Sequence, residues 1–264
     1  MARQRKSDKQ RLIERRGIGT CEEYKPWLKV HEFSSEGLAS RVMGWKINRK
    51  YQLMSKLERE YFFLAQWEDN VVDIREQFPL LPIEETILIA KKLGYKHPTN
   101  RSINKEIVMT TDFVITLEKN NERYDIARTI KPSSKLTPRV KEKFLIEQEY
   151  WKRRNIDWGV ITEKQIDKVK ARNIEFLYQS FFWNKNIHIT NNDLQKLISQ
   201  FIFMLEVNQS DIKKTVSEFD ILMNWEVGES LSFLKYLLAH KIVHTDLKKD
   251  ITKLCNGSVK IWVE

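Results

Sequence analysis

Cysteine is nearly missing from this chain: there are two in 264 residues, Cys21 and Cys255, far apart in sequence. Thiols so separated support neither a disulfide framework nor a thiolate zinc site, and a reducing, cytoplasmic setting is the default expectation. Long apolar runs are missing too. None approaches the ~18 residues of a membrane span, so no membrane partner is expected, and the N-terminus, charged from Arg3 onward, lacks the apolar core of a signal peptide. Glycines number only eight. Gly17-x-Gly19 has no third glycine and follows no strand, which leaves a dinucleotide loop unsupported. No serine sits in a nucleophile elbow, and no cysteine has a histidine set beside it. His240 and His244 are spaced i, i+4 but straddle an expected helix end, which argues against a zinc pair.

What the chain does have is positive charge, unevenly placed. Its 46 Lys/Arg and 36 Asp/Glu give +10 overall. Residues 1–166 hold 33 of the basic and 24 of the acidic residues, for +9; residues 167–264 hold 13 and 12, for +1. A cationic first part suits a polyanion such as DNA, whose phosphates supply most non-specific affinity. The opening run RQRKSDKQRLIERR is the densest patch, and it reads equally well as a solvated basic arm.

The chain is long enough for one large domain or two small ones. Residues 28–33 and 41–47 read as strands, with Gly37 and Gly44 at turns. Ser55 is placed to cap a helix to Trp67, with Leu57, Tyr61, Leu64 and Ala65 on its apolar stripe. VVDIREQFPLLP follows as an extended segment. Residues 108–117 and 123–131 form an expected hairpin about Asn120-Asn121, and in its second strand Arg123, Asp125, Ala127, Thr129 and Lys131 share one face. Thr137-Pro138 opens a helix to about Arg154, and residues 158–162 read as a short strand. Strand, helix, strand predicts a parallel crossover, hence an α/β mixed sheet flanked by helices. After residue 166 helical patterns dominate, at 164–181, 191–205, 210–223 and 229–241, with Thr190 and Ser210 as N-caps. A closing hairpin about Asn256-Gly257 completes the outline of a mainly α, winged-helix-like domain over 167–264.

The hairpin carries the chemistry. Asp112 lies on one strand and Thr129-Ile130-Lys131 on the next; an acidic residue followed by polar-x-Lys is how metal-dependent nucleases of the PD-(D/E)xK kind build a site. Phosphodiester hydrolysis calls for a metal, and Mg2+ accepts two carboxylates plus a backbone carbonyl. Asp112, Glu58 on the preceding helix and the Ile130 carbonyl are the candidate ligands, with Thr129 in the slot usually held by Asp or Glu. Each residue also has a plain structural reading. Ser55-x-x-Glu58 is a capping box, Asp112 suits a strand-end turn, and Lys131 before Pro132 suits a solvated strand terminus. The aromatic run Tyr178, Phe181, Phe182 and Trp183 reads as core or interface rather than a base-stacking platform.

Longer blocks narrow the choice. Tyr24-x-Pro26-Trp27-Leu28, Leu57-Glu58, Asp73-Ile74-Arg75-Glu76-Gln77-Phe78-Pro79-Leu80-Leu81-Pro82, Lys96-His97-Pro98, Thr111-Asp112-Phe113, Lys131-Pro132, Tyr150-Trp151 and Ile174-Glu175-Phe176-Leu177-Tyr178 occur in this order. In these blocks the chain resembles the TnsA endonuclease subunits of heteromeric cut-and-paste transposases, densely over about residues 20–180. The resemblance implies a restriction-endonuclease-like fold over residues 1–166 and a winged-helix-like domain over 167–264. It also implies cutting of the 5′ strands at transposon-end DNA, with a TnsB-like DDE transposase and a TnsC-like AAA+ regulator as partners. By position it implies Glu58, Asp112 and Lys131 as catalytic residues and Mg2+ or Mn2+ as cofactor. Where the family shows glutamine this chain has Thr129, whose hydroxyl is set about two bonds further back, so Glu58, Asp112 and the Ile130 carbonyl are expected to dominate coordination. Two competing readings are a scaffold subunit with a decayed site at Thr129 and a winged-helix DNA-binding regulator. The near-neutral charge of residues 167–264 counts against the regulator.

Overall fold

A computed structural model describes residues 6–32, 39–100, 104–187 and 189–263; Gly37 and Phe33, expected at a turn and a strand end, lie outside them. Two compact units result, Met1–Ile166 and Asp167–Glu264.

In the first unit the order is α1 (Asp8–Ile13), β1 (Ser40–Met43), β2 (Lys50–Leu53), α2 (Lys56–Trp67), β3 (Val71–Pro79), α3 (Ile83–Lys92), β4 (Thr99–Asn100), β5 (Lys105–Glu106), β6 (Thr110–Lys119), β7 (Glu122–Ile130), α4 (Pro138–Lys152) and β8 (Asp157–Ile161). The central sheet runs β3-β6-β7-β8. β6 and β7 are antiparallel about Asn120 and Asn121, both at positive φ (54° and 64°) as a two-residue hairpin turn demands. β7 and β8 are parallel, joined through α4, which is the predicted crossover pairing. Pro138 occupies the first turn of α4, and the Thr137 side chain accepts the Val140 N–H, so the helix start follows local chemistry. The buried stripe of α4 is Ile146, Glu147, Tyr150 and Trp151; it closes over Leu80, Ile89, Met109, Val114 and Ala127. One charged residue interrupts this apolar stripe.

The α2 helix keeps its expected bounds but not its expected face. Phe62, Phe63, Ala65 and Gln66 are buried together with Glu58, whereas Leu57, Tyr61 and Leu64 are only half-buried. The β1–β2 hairpin covers a second side of the helix and sets this rotation: Tyr51 packs on Phe62 at 4.6 Å and Gln66 accepts the Trp45 N–H at 2.8 Å. Residues 41–47 are a strand only to Met43, because the chain turns at Gly44, where a Cβ would stand 2.4 Å from the Ile47 carbonyl oxygen. Residues 28–32 are no strand. Val30–Glu32 is a 3₁₀ turn, and Glu32 is drawn inside by the Arg16 and Arg11 guanidiniums at 2.5 and 3.3 Å. The opening run is accordingly not a free basic arm from residue 8 onward: Arg11 and Arg16 are buried. The α3 helix has no counterpart among the sequence expectations.

The second unit contains α5 (Lys168–Tyr178), α6 (Trp183–Asn186), α7 (Asn191–Val207), α8 (Ile212–Leu222), α9 (Glu229–Ala239), β9 (His244–Thr245) and β10 (Ile261–Trp262). The four expected helical stretches are all helical. Thr190 caps α7 as expected; α8 is capped by Asp211 rather than Ser210, whose φ of 61° takes it out of the cap geometry. Asp167 caps α5, accepting the Val169 and Lys170 N–H groups, so the helix starts there and not at 164. The core is aromatic: Phe201 lies 4.9 Å from Phe219, and Trp183 lies 4.7 Å from Phe233. Within the aromatic run, Trp183 is thus core. The closing hairpin is not built on Asn256-Gly257. β10 pairs with β9, and the long intervening loop is held to α5 by Asn173, which donates to the Leu247 and Lys249 carbonyls and accepts the Ile251 N–H.

Candidate active site

Asp112 is an interior residue of β6, so the strand-end reading fails. Its Oδ2 accepts the Ile130 N–H across the hairpin at 2.7 Å. Glu58 sits at the start of α2 and turns its carboxylate inward. Ser55 Oγ accepts the Glu58 N–H, the first half of a capping box, and donates to Oε1 at 2.9 Å, while Oε2 accepts the N–H of Met54, one residue before the cap, at 2.8 Å and faces the sheet. A helix start has unpaired N–H groups and a positive dipole end, which suits a carboxylate. The two carboxylates converge on one group: Gln77 Nε2 lies 3.3 Å from Glu58 Oε2 and 3.4 Å from Asp112 Oδ1.

Both groups line a cleft of about 290 Å3 together with Thr129, Ile130, Lys131, Lys143, Glu147 and, from α1, Asp8 and Arg11. Lys131 follows the last residue of β7, and its N–H is held by the Ile161 carbonyl at 2.9 Å, so strand direction carries on to it. Burial pushes the Glu58 carboxyl up, and the Asp112 charge adds to that; the Met54 and Ser55 hydrogen bonds and the Lys131 charge oppose it. Burial likewise pushes Asp112 up, against the Ile130 N–H, Lys131 and Gln77. Two desolvated acids beside each other favour a proton, and arriving positive charge releases it.

Thr129 is where the arrangement departs from expectation. Its hydroxyl donates to Glu147 Oε1 at 2.5 Å, so its proton is engaged by a carboxylate of another element. Glu147, absent from the sequence-based list of site residues, is almost fully buried, and its Oε1 also accepts from Thr111 at 2.6 Å and Trp158 Nε1 at 3.0 Å. Burial raises its carboxyl to about 7 against these three hydrogen bonds. The signal that could have revealed it was a glutamate inside the α4 apolar stripe, since a buried charge is seldom placed without a task. Gln77 had no such signal, because it sits in a segment that reads as ordinary strand.

Among the described residues no cluster of three or more His, Cys, Asp or Glu is arranged around one ion. His240 bonds the Phe181 carbonyl at 2.9 Å and stacks on the Phe181 ring, and His244 stacks on Trp262. The pair serves packing. No helix among the described residues is long and apolar enough to cross a membrane.

Residues 68–163 match the family described as TnsA-like endonuclease N terminal, and residues 165–247 match TnsA endonuclease C terminal. Over 240 residues the chain is 35% identical to the transposon Tn7 transposition protein TnsA of Escherichia coli, a match spanning 90% of this chain and 85% of that protein.

Proposed function

Because the chain belongs to the TnsA endonuclease family, we propose that Glu58, Asp112 and Lys131 form the site with which it cuts the 5′ strands at transposon ends. It is a DNA endonuclease subunit of a Tn7-like transposase. The observation that carries the site assignment is the convergence of Glu58 and Asp112 on one side-chain amide, in a cleft that also takes Lys131.

The donor set offers oxygen only, with one buried and one half-buried carboxylate, and that fits a hard cation such as Mg2+ or Mn2+. Glu58, Asp112 and the Ile130 carbonyl would hold it. Bound there, the ion would polarise the phosphoryl oxygen and lower the pKa of an attacking water. The Lys131 ammonium supplies the counter-charge at phosphorus and orients the water, while the Ile130 N–H fixes the Asp112 carboxylate. Thr129 is assigned as a support for Glu147 rather than a ligand. The buried Glu147 beside Thr129 supports a working site over a decayed one, because the cleft keeps the carboxylates of Glu58, Asp112 and Glu147.

Residues 167–264 are proposed to be winged-helix-like and to bind protein, a TnsB-like transposase or a TnsC-like AAA+ regulator. Their net charge of +1 supports this over phosphate binding. The exposed Ile221, Leu222 and Val227 add apolar surface suited to a protein partner. The first unit, at +9, is the proposed DNA holder.

The test uses the protein with a partner transposase and transposon-end DNA. Asp112→Ala should abolish 5′-strand nicking and leave 3′ cuts. Unchanged 5′ products would assign the cutting elsewhere.

A further inference from the structure

Gln77 is a non-glycine residue at φ 49° inside β3, a backbone conformation that long side chains keep only where the surroundings impose it. The ladder pairs Glu76 with Phe113 and Phe78 with Thr111, so Gln77 stands opposite Asp112 at a gap in the pairing, with no residue inserted. Three contacts impose the kink. The Trp27 N–H donates to the Gln77 carbonyl at 3.1 Å. On one side, Glu76 is locked to Arg49 by hydrogen bonds of 2.6 and 3.0 Å. On the other, the Gln77 side chain is 3% exposed and its single amide nitrogen reaches both carboxylates. Two N–H groups on one neutral atom are a compact way to hold two acids at a set spacing without adding charge.

We propose that Gln77 is a positioning residue of the cation site, bridging Glu58 and Asp112 through its N–H groups and turning its amide over to offer Oε1 when a divalent cation enters. The inference rests on the reading that Glu58 and Asp112 hold a cation. Turning over requires rotation about the terminal torsion, whose profile is broad and two-fold. An amide oxygen is a hard donor acceptable to Mg2+ and Mn2+. Such an oxygen would add a second neutral donor to the Ile130 carbonyl, on the side of the site where the Thr129 hydroxyl turns its proton to Glu147.

Mn2+ binding to the full chain, followed by the loss of the free-ion paramagnetic signal, tests it, with thermal melts alongside. Gln77→Met keeps side-chain length but removes the amide, and should weaken Mn2+ binding about tenfold, the usual range for a supporting group. Gln77→Glu places a third carboxylate in the gap. It should lower the melting temperature without metal and show a larger Mn2+-induced rise than wild type. Asp112→Asn is the control and should bind far less Mn2+. Wild-type Mn2+ affinity in Gln77→Met, with affinity lost in Asp112→Asn, would overturn the role of Gln77 alone. So would a Gln77→Glu protein that is destabilised and not restored by Mn2+, because that pattern belongs to a purely structural residue. Absence of saturable Mn2+ binding by wild type would remove the cation reading, and this inference with it.

Discussion

The two units bury different things. In the first, Arg11, Arg16, Glu32, Arg49, Glu58, Asp73, Arg75, Glu76 and Glu147 are all buried charges; among the described residues of the second, Asp220 is the one buried charge, and it caps α9 through the Gly228 and Ser230 N–H groups. Phenylalanine and tryptophan are buried in both, but in the second unit they pack almost without buried charge among them. Aromatic packing stabilises without demanding partners, whereas each buried charge must be answered by another group. A unit that stacks rings can devote its surface to docking. One that inserts carboxylates keeps them desolvated, where a cation or phosphate would feel them strongly.

Substitutions that break this contrast should differ in kind. Lys131→Met has the largest expected effect, a fall in 5′ cleavage of about 10²–10³-fold, the range for removing one transition-state charge donor. Mn2+ affinity, measured beside it, should change little. Next comes Phe233→Ala, which should destabilise the second unit by about 3–5 kcal/mol. Hydrogen exchange should then speed up in α7–α9 while β6 and β7 stay protected, and exchange rising equally in both would deny that the units hold their cores separately. Glu32→Gln, read by denaturant unfolding, should cost about 3 kcal/mol, because it removes the buried carboxylate that two buried guanidiniums share and leaves them only the more exposed Asp8 and Glu14. Thr129→Val should be mildest, about 1 kcal/mol for a lost hydrogen bond, with a small change in cleavage.

Acidity sharpens the same comparison. The Glu58, Asp112 and Glu147 carboxyls lie above their ordinary values, so the folded metal-free protein binds more protons than the unfolded chain between about pH 4 and 7. Their contribution to stability is present below the unfolded values and is lost as pH rises through the folded ones. In the second unit Asp220 lies below its ordinary value, against its burial, because it accepts hydrogen bonds from Ser230 and Gly228; its contribution is lost as pH falls. Exchange measured at pH 4.5 and 7.5 without metal should therefore show β6 and β7 less protected at the higher pH, and α9 not. Equal protection of β6 and β7 at both would contradict the pressure on these acids.

Much of this was legible locally. Ser55, Thr137 and Thr190 announce helix starts because capping is a matter of a few neighbouring atoms. Asn120-Asn121 announces the hairpin for the same reason. What stayed hidden was long-range. Glu32 needed Arg11 and Arg16 to become an inside residue, and the face of α2 needed the β1–β2 hairpin to turn Glu58 inward. Gln77 looked like any strand residue until Asp112 stood opposite it. Thr129 suggested weakness because its partner, Glu147, lies 18 positions on in another element.

The Arg11–Arg16–Glu32 knot also bears on how such a chain can change over generations. Glu32 lies between two guanidiniums that each hold a further carboxylate, Asp8 on Arg11 and Glu14 on Arg16, so a change of charge at Glu32, Arg11 or Arg16 is felt by all five side chains. Arg11 at the same time forms part of the cleft wall. Substitutions at one of the five should therefore be accepted only together with their neighbours, tying α1 to the proposed site as a historical constraint.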